Sequence, residues 1–361
     1  MTLASDASRS DPVRLVLCGA GHWGPNIIRA LLDDRRVRLA AIVETDPARR
    51  QALESRYGVC TSADLEPHLR DPAIDGVIIS TPAASHAALA TAALGHGKHV
   101  LVEKPMAVTH REAEDLCRLA AGSKRLLMVG HVFLFNHAFR ELKRRLEAPD
   151  FGRLLYLYAR RLNLGPVRAD VHAGWDLASH DVSMFLAIKR TLPVSVTASG
   201  QCMIRNGIPD VIFANLFFPD GTCGHIHASW LDPQKIRDVV AVGERQMIVF
   251  DDMSLQAPLR IYNHGFDRLA PDDATTIVDT FGEFRVQLKQ GELVVPPTAT
   301  GQPLAAELNE FVSALIQSRP VESDGRFGAD VVAVLEAMDR SLAKGSQAVA
   351  VATAGGGKED G

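Results

Sequence analysis

Ten residues constrain the fold of this chain more than any others: Leu15-Val16-Leu17-Cys18-Gly19-Ala20-Gly21-His22-Trp23-Gly24. An apolar run ends in glycines spaced GxGxxG, and a helix-compatible stretch, Pro25–Leu32, follows at once. Gly19 permits a tight turn, and Gly21 lets the backbone approach a pyrophosphate. Gly24 lets the helix pack closely, with its N-terminal dipole facing the phosphates. With 28 glycines in the chain the spacing alone arises by chance, so its meaning comes from standing between a strand and a helix. Glu44 lies twenty residues beyond Gly24 at the end of the next strand-like run, where a carboxylate accepts ribose hydroxyls. A 2′-phosphate about 4 Å from it is repelled by roughly 4 kcal/mol at an effective dielectric near 20. NAD is therefore the expected cofactor, with NADP left open by the nearby Arg49 and Arg50.

Strand-like runs at Arg14–Cys18, Leu39–Glu44, Gly76–Ser80, Val100–Val102 and Leu126–Val129 alternate with helical stretches, including Pro47–Tyr57, His86–Leu94 and Thr109–Ala121. Thr109 and Glu112 form a capping-box signature. This alternation predicts a Rossmann-type α/β domain over residues 13–130, with a doubly wound parallel sheet. After a helix at Asn136–Glu147, strands follow one another from Leu154–Arg161 to Met247–Phe250, with turns such as Pro219-Asp220-Gly221. They predict a second α/β domain over 131–345 with an open, mostly antiparallel sheet. It is completed by helices at Leu304–Ile316 and Gly328–Lys344. Residues 1–12 and 346–361 lack apolar periodicity and are expected to be disordered.

Composition excludes several classes. Among 361 residues, 39 Lys+Arg against 43 Asp+Glu give a net charge of −4, no field for a nucleic acid. No apolar run approaches the ~20 residues that cross a bilayer, and the first residues lack a signal-peptide pattern, so a cytoplasmic protein is expected. Five cysteines without a CxxC pair argue against disulfides and structural zinc. His225 and His227 alternate along a strand with no third ligand near them in sequence, so no metal is expected.

Lys104 directly follows the apolar run Val100–Val102 and Glu103. Open parallel sheets place ligands at the carboxyl ends of their strands, so Lys104 is expected at the ligand. An ammonium there can hydrogen-bond a ligand oxygen and stabilise negative charge on it. Asp176 and His180 stand four apart and share one face if their segment is an α-helix; a plain N-cap is the alternative for Asp176.

These stretches resemble the glucose–fructose oxidoreductase / inositol dehydrogenase / rhizopine-catabolism (Gfo/Idh/MocA) family. The carrying motifs are GAGHWG at 19–24, STPAASH at 80–86, GKHVLVEKP at 97–105, MVGHVFLFN at 128–136 and WDLASHD at 175–181. Pro303-Leu304, Glu307 and Glu310-Phe311 extend the likeness, and His137 departs from it where many relatives have proline. The resemblance implies hydride transfer at a sugar, nucleotide-sugar or cyclitol carbon, with Lys104, Asp176 and His180 as the catalytic set. On the cofactor side it implies Gly19, Gly21, His22, Trp23, Gly24, Glu44, Thr81, Pro82, His86, Glu103 and Lys104. Asn163, Arg168 and Asp170 lie in the loop that feeds the DxxxH segment and are candidate substrate residues, with Asp176 and His180. Arg168 suits a phosphate or carboxylate. Trp230 and Lys235 are weaker candidates. The resemblance also implies that the open sheet serves contacts between copies, giving a homodimer or homotetramer. A redox-neutral NAD-dependent glycosidase, an inositol-type dehydrogenase and a non-enzymatic dinucleotide-sensing regulator are the alternatives.

Overall fold

The computed structural model describes residues 11–165, 167–168, 171–263 and 291–353. The chain divides into two compact units. The first takes residues 1–135, 301–336 and 353–361, and the second takes 136–300 and 337–352.

The first unit runs β1 (Val13–Cys18), α1 (Gly24–Asp33), β2 (Val37–Val43), α2 (Pro47–Tyr57), β3 (Thr61–Ser62), α3 (Glu66–Arg70), β4 (Gly76–Ile79), α4 (His86–Gly95), β5 (His99–Glu103), α5 (His110–Ser123) and β6 (Leu127–Gly130). Its six strands, in the order β3-β2-β1-β4-β5-β6, all pair parallel. Leu15, Val77, Ile79, Val100 and Val102 are fully buried in it, because helices on both faces leave no polar side to such a sheet. The capping box of α5 forms: Thr109 Oγ1 accepts from the Glu112 amide, and the Glu112 carboxylate accepts from the Thr109 amide, both at 3.2 Å. The order of strands reverses between β1 and β4, which fixes where such a sheet receives a ligand.

The second unit contains α6 (His137–Leu146), β7 (Leu154–Leu162), a π-helical turn at Gly174–Ala178, α7 (Ser179–Lys189), β8 (Ser195–Gln201), β9 (Val211–Phe217), β10 (Cys223–Ser229), β11 (Ile236–Gly243), β12 (Met247–Asp251), β13 (Leu259–Tyr262) and β14 (Leu293–Val294). Along the chain there follow α8 (Pro303–Gln317), which belongs to the first unit, α9 (Gly325–Ala343), whose residues up to 336 belong to the first unit and the rest to the second, and β15 (Val349–Ala350) in the second. Among the described residues the sheet has nine strands in the order β14-β13-β12-β11-β7-β10-β9-β8-β15. Its pairs are antiparallel except β7 with β10, which run parallel.

Four expectations need correction. The division falls after residue 135 rather than 130, and α8 belongs to the first unit rather than the second. The buried face of α8, carrying Leu304, Leu308, Phe311 and Val312, packs against α1 and the 3-10 turn Val132–Phe135. The C-terminal stretch is not wholly irregular, because Val349 and Ala350 pair with Val196 and Ser195 at the edge of the second sheet. The segment from Asp176 to His180 is not one α-helix. It begins as the π turn and becomes α-helical at Ser179. Among the described residues no helix is long and apolar enough to cross a membrane, and no cluster of His, Cys, Asp and Glu suits a metal. All five cysteines are unpaired with one another.

Candidate active site

In the first unit the candidate residues gather at the carboxyl edge of the sheet. β1 runs into the glycine loop, and Gly19 adopts a φ of +88°. A Cβ there would lie 2.5 Å from the Ser80 carbonyl oxygen and 2.6 Å from Thr81 Cγ2, so only glycine lets the loop pass the end of β4. Around Gly21 a Cβ would meet nothing within 4 Å, which leaves its backbone open to a ligand. His22 and Trp23 are exposed, and Gly24 opens α1 with its would-be Cβ 3.2 Å from that of Ala20.

Glu44, directly after β2, is buried. Its Oε2 accepts from the Ala20 amide at 3.3 Å, and its Oε1 accepts from the Asp46 amide at 3.1 Å. The carboxylate thus latches the glycine loop to the second strand, at the place where a ribose is held in folds of this type. Arg50 Nη1 donates to the carbonyls of Glu44 and Thr45 at 2.7 and 2.9 Å, and Arg49 faces Asp46 at 3.8 Å. Both cations next to Glu44 in sequence are therefore engaged, and the donor set fits a ribose with a free 2′-hydroxyl better than one bearing a phosphate. Burial, helped by Glu44, pushes the Cys18 thiol up to about 11, so it is an inert apolar group.

His86 is 1% exposed and ties two turns together: Nδ1 lies 2.8 Å from the Pro105 carbonyl oxygen and Nε2 2.8 Å from that of Thr81. Thr81 Oγ1 shares a 2.7 Å hydrogen bond with Ser85 Oγ, and Pro82 is exposed. Lys104 is half-buried one residue beyond β5. Its charge is felt by three neighbours. Burial first, and Lys104 second, drives the His131 imidazole down to about 3. Burial lowers His86 too, its two carbonyl partners oppose that, and Lys104 adds to it. Glu103 is pushed up by burial to about 7, while Lys104 and a hydrogen bond from the Trp23 side chain pull it back. Burial and then Glu103 hold the Glu307 carboxyl well above the usual carboxylate range, so these two acids resist carrying two charges together.

Two further buried groups, His131 and Glu307, belong to this neighbourhood without being among the candidate site residues of the sequence. Both are 1% exposed, and neither ring nitrogen of His131 has a hydrogen-bond partner among the described residues. A signal for His131 existed: it follows β6 as Lys104 follows β5.

In the second unit Asp176 sits in the π turn, and His180 is the second residue of α7. Asp176 Oδ2 accepts from Trp230 Nε1 at 3.2 Å, and Oδ1 accepts from Arg168 Nη1 at 3.3 Å. Trp230 is therefore no exposed stacking platform; it is 1% exposed and serves as a donor. Arg168, chosen for anions, also holds Asp176. Asn163 follows β7, and its amide donates to the Ser229 carbonyl at 3.1 Å. Asp170 lies outside the described residues. His225 Nδ1 is 2.8 Å from Asn215 Oδ1, and His227 stacks on Phe213 at 4.4 Å.

The oxidoreductase family model with an NAD-binding Rossmann fold matches residues 13–131, and the GFO/IDH/MocA C-terminal domain model matches residues 139–249. UDP-N-acetylglucosamine 3-dehydrogenase from Acidithiobacillus ferrooxidans is 30% identical over 266 residues, 72% of this chain and 76% of that enzyme. The chain belongs to the Gfo/Idh/MocA oxidoreductases. A solved structure of the Acidithiobacillus enzyme aligns with this family member at a TM-score of 0.78 and 25% identity, over 92% of this chain and 98% of that one. A 1-carboxy-3-chloro-3,4-dihydroxycyclohexa-1,5-diene dehydrogenase from Comamonas testosteroni is 33% identical over 199 residues. That match takes in 51% of this oxidoreductase and spans about half, 49%, of the Comamonas enzyme.

Proposed function

We propose that this oxidoreductase moves a hydride between NAD and a secondary alcohol of a sugar or nucleotide sugar. The observation that carries this reading is Lys104, half-buried at the carboxyl end of β5, beside the strand reversal that the glycine loop and Glu44 mark. When bound, NAD supplies the hydride acceptor. Gly19 and Gly21 shape the loop for its phosphates, and Glu44 takes its ribose hydroxyls. Lys104 donates a hydrogen bond to the alcohol oxygen and stabilises the negative charge that grows as its proton leaves. His180 accepts that proton and returns it in the reverse direction. Asp176, steadied by Trp230 and Arg168, orients the substrate's hydroxyl groups. Overall, the alcohol carbon loses a hydride and its oxygen a proton, giving a ketone.

The resemblance to a UDP-N-acetylglucosamine 3-dehydrogenase favours a nucleotide sugar over a free one. Self-association is part of the proposal. Tyr156, Cys223 and Phe217 lie side by side across β7, β10 and β9, and Tyr156 and Phe217 are 46% and 38% exposed. A second copy of the chain would cover this apolar row. The unpaired cysteines favour the cytoplasm.

The test is a panel of UDP-N-acetylglucosamine, free sugars and inositols, followed at the nicotinamide absorbance with NAD and NADP in parallel. NAD reduction with a sugar or nucleotide sugar is expected, falling about 10²–10⁴-fold in His180→Ala. Reduction with inositols alone, or unchanged turnover in His180→Ala, would overturn the assignment of substrate or of proton acceptor respectively.

A further inference from the structure

The π turn that carries Asp176 is gripped from a distance by one carboxylate. Asp339, in the second-unit part of α9, accepts from His172 Nε2 at 2.7 Å through Oδ1 and from Trp175 Nε1 at 2.8 Å through Oδ2. His172 Nδ1 in turn accepts from the Gly174 amide at 3.1 Å, which fixes the ring as the tautomer with its proton on Nε2. The ring lies so close over this backbone that a Cβ at Gly174 would stand 2.9 Å from Nδ1 and 2.8 Å from Cε1. The His172 carbonyl accepts the Asp176 amide at 3.1 Å, and Trp175 directly precedes Asp176. Both donors that Asp339 holds are thus joined to Asp176 by main chain.

We propose that Asp339 is a positioning residue that sets the aim of Asp176 by clamping His172 and Trp175 together across the π turn. This rests on the reading of Asp176 as a substrate-side group. A π turn is a local departure from α-helical geometry that isolated chains rarely adopt, so something outside it must hold it. A carboxylate suits that task because it is acceptor-only and takes one N–H on each oxygen. Asparagine has nearly the same shape but offers one oxygen and one NH2, so one of the two N–H groups would then face another donor. Asp176 magnifies any resulting shift. Its two oxygens accept from Trp230 and Arg168 at 3.2 and 3.3 Å, lengths at which a small rotation of the turn breaks a bond.

The chain has three tryptophans, Trp23, Trp175 and Trp230, and their indole N–H resonances report on the clamp in the full chain without any substrate. In Asp339→Asn the Trp175 and Trp230 resonances should move while that of Trp23 stays. Turnover on the substrate found by the panel should fall about 10- to 100-fold, with the KM for NAD unchanged and partial recovery in Asp339→Glu. Trp175→Phe removes one donor and keeps an aromatic ring in place; it should move the Trp230 resonance as well, and serves if the Asp339 variants fail to fold. A Trp230 resonance unmoved in these variants overturns the proposal, because the clamp then has no effect beyond its own two partners. Should the wild-type chain oxidise no sugar, the functional reading fails there, and the indole resonances still decide the role of Asp339.

Discussion

Lys104 stands where it does because the backbone of β5 ends there, whereas Asp176 is held by side chains: Trp230 and Arg168 on its carboxylate, and Asp339 through the neighbouring turn. The first unit builds its candidate site from strand ends. Gly19, Glu44, Thr81, Lys104 and His131 each follow a strand within two residues. The second unit builds its site from contacts that join residues 54 and more than 160 positions apart. A backbone-built site keeps its geometry when one of its side chains is truncated and loses it when the backbone shifts, whereas a side-chain-built site loses its geometry when a supporting side chain is changed.

That contrast can be broken in order of effect. Lys104→Ala should cost about 10²–10⁴-fold in turnover while most nucleotide binding persists, since the glycine loop and Glu44 are left intact; complete loss of NAD binding measured by calorimetry would contradict it. Gly19→Ala comes next, with a destabilisation of about 1–3 kcal/mol for the strained backbone and loss of NAD affinity, both visible in thermal melts with and without NAD. Gly21→Ala, with open space around it, should melt near the wild type yet bind NAD poorly. If both glycine variants melt alike, the steric distinction between them is wrong.

The most gradual effect, spread over several pH units, is a dependence on pH. The folded chain holds His131 near 3, against about 6.5 when unfolded. As pH falls below about 6.5, the unfolded chain takes up a proton that the folded one refuses. Stability from this group is therefore full above 6.5 and drains on the way down to about 3, by about 1.4 kcal/mol per pH unit. His131→Phe should flatten that part of the acid limb in denaturant titrations. An acid limb parallel to the wild type would mean that His131 titrates as freely when folded as when unfolded.

Much of the first unit was legible because its signals are local. Apolar runs, glycines and Thr109 with Glu112 each act within a few residues, and β1, β4, β5 and α5 lie within a few residues of their expected bounds. The apolar stripe of α8 shows that the helix is buried but not against what, so its pattern alone does not place it in the first unit. No short-range pattern encodes a π turn, because what holds it is Asp339, more than 160 residues away. Val349 and Ala350 are too few to show an alternation, so only the free edge of β8 makes them a strand.

The parallel pairing of β7 with β10 also bears on how the second unit assembles. β7 has β10 on one side and β11 on the other, and both are synthesised long after it, whereas β8–β9–β10 and β11–β12–β13 are runs of sequence neighbours. The two ribbons can close by themselves, but the middle of the sheet cannot close until loop-closure entropy for some sixty residues has been met. Contact order therefore predicts that β7 is the keystone, pairing last between two ribbons of sequence neighbours. Pulsed hydrogen exchange during refolding would register this as late protection of the amides of Leu157 and Ala159.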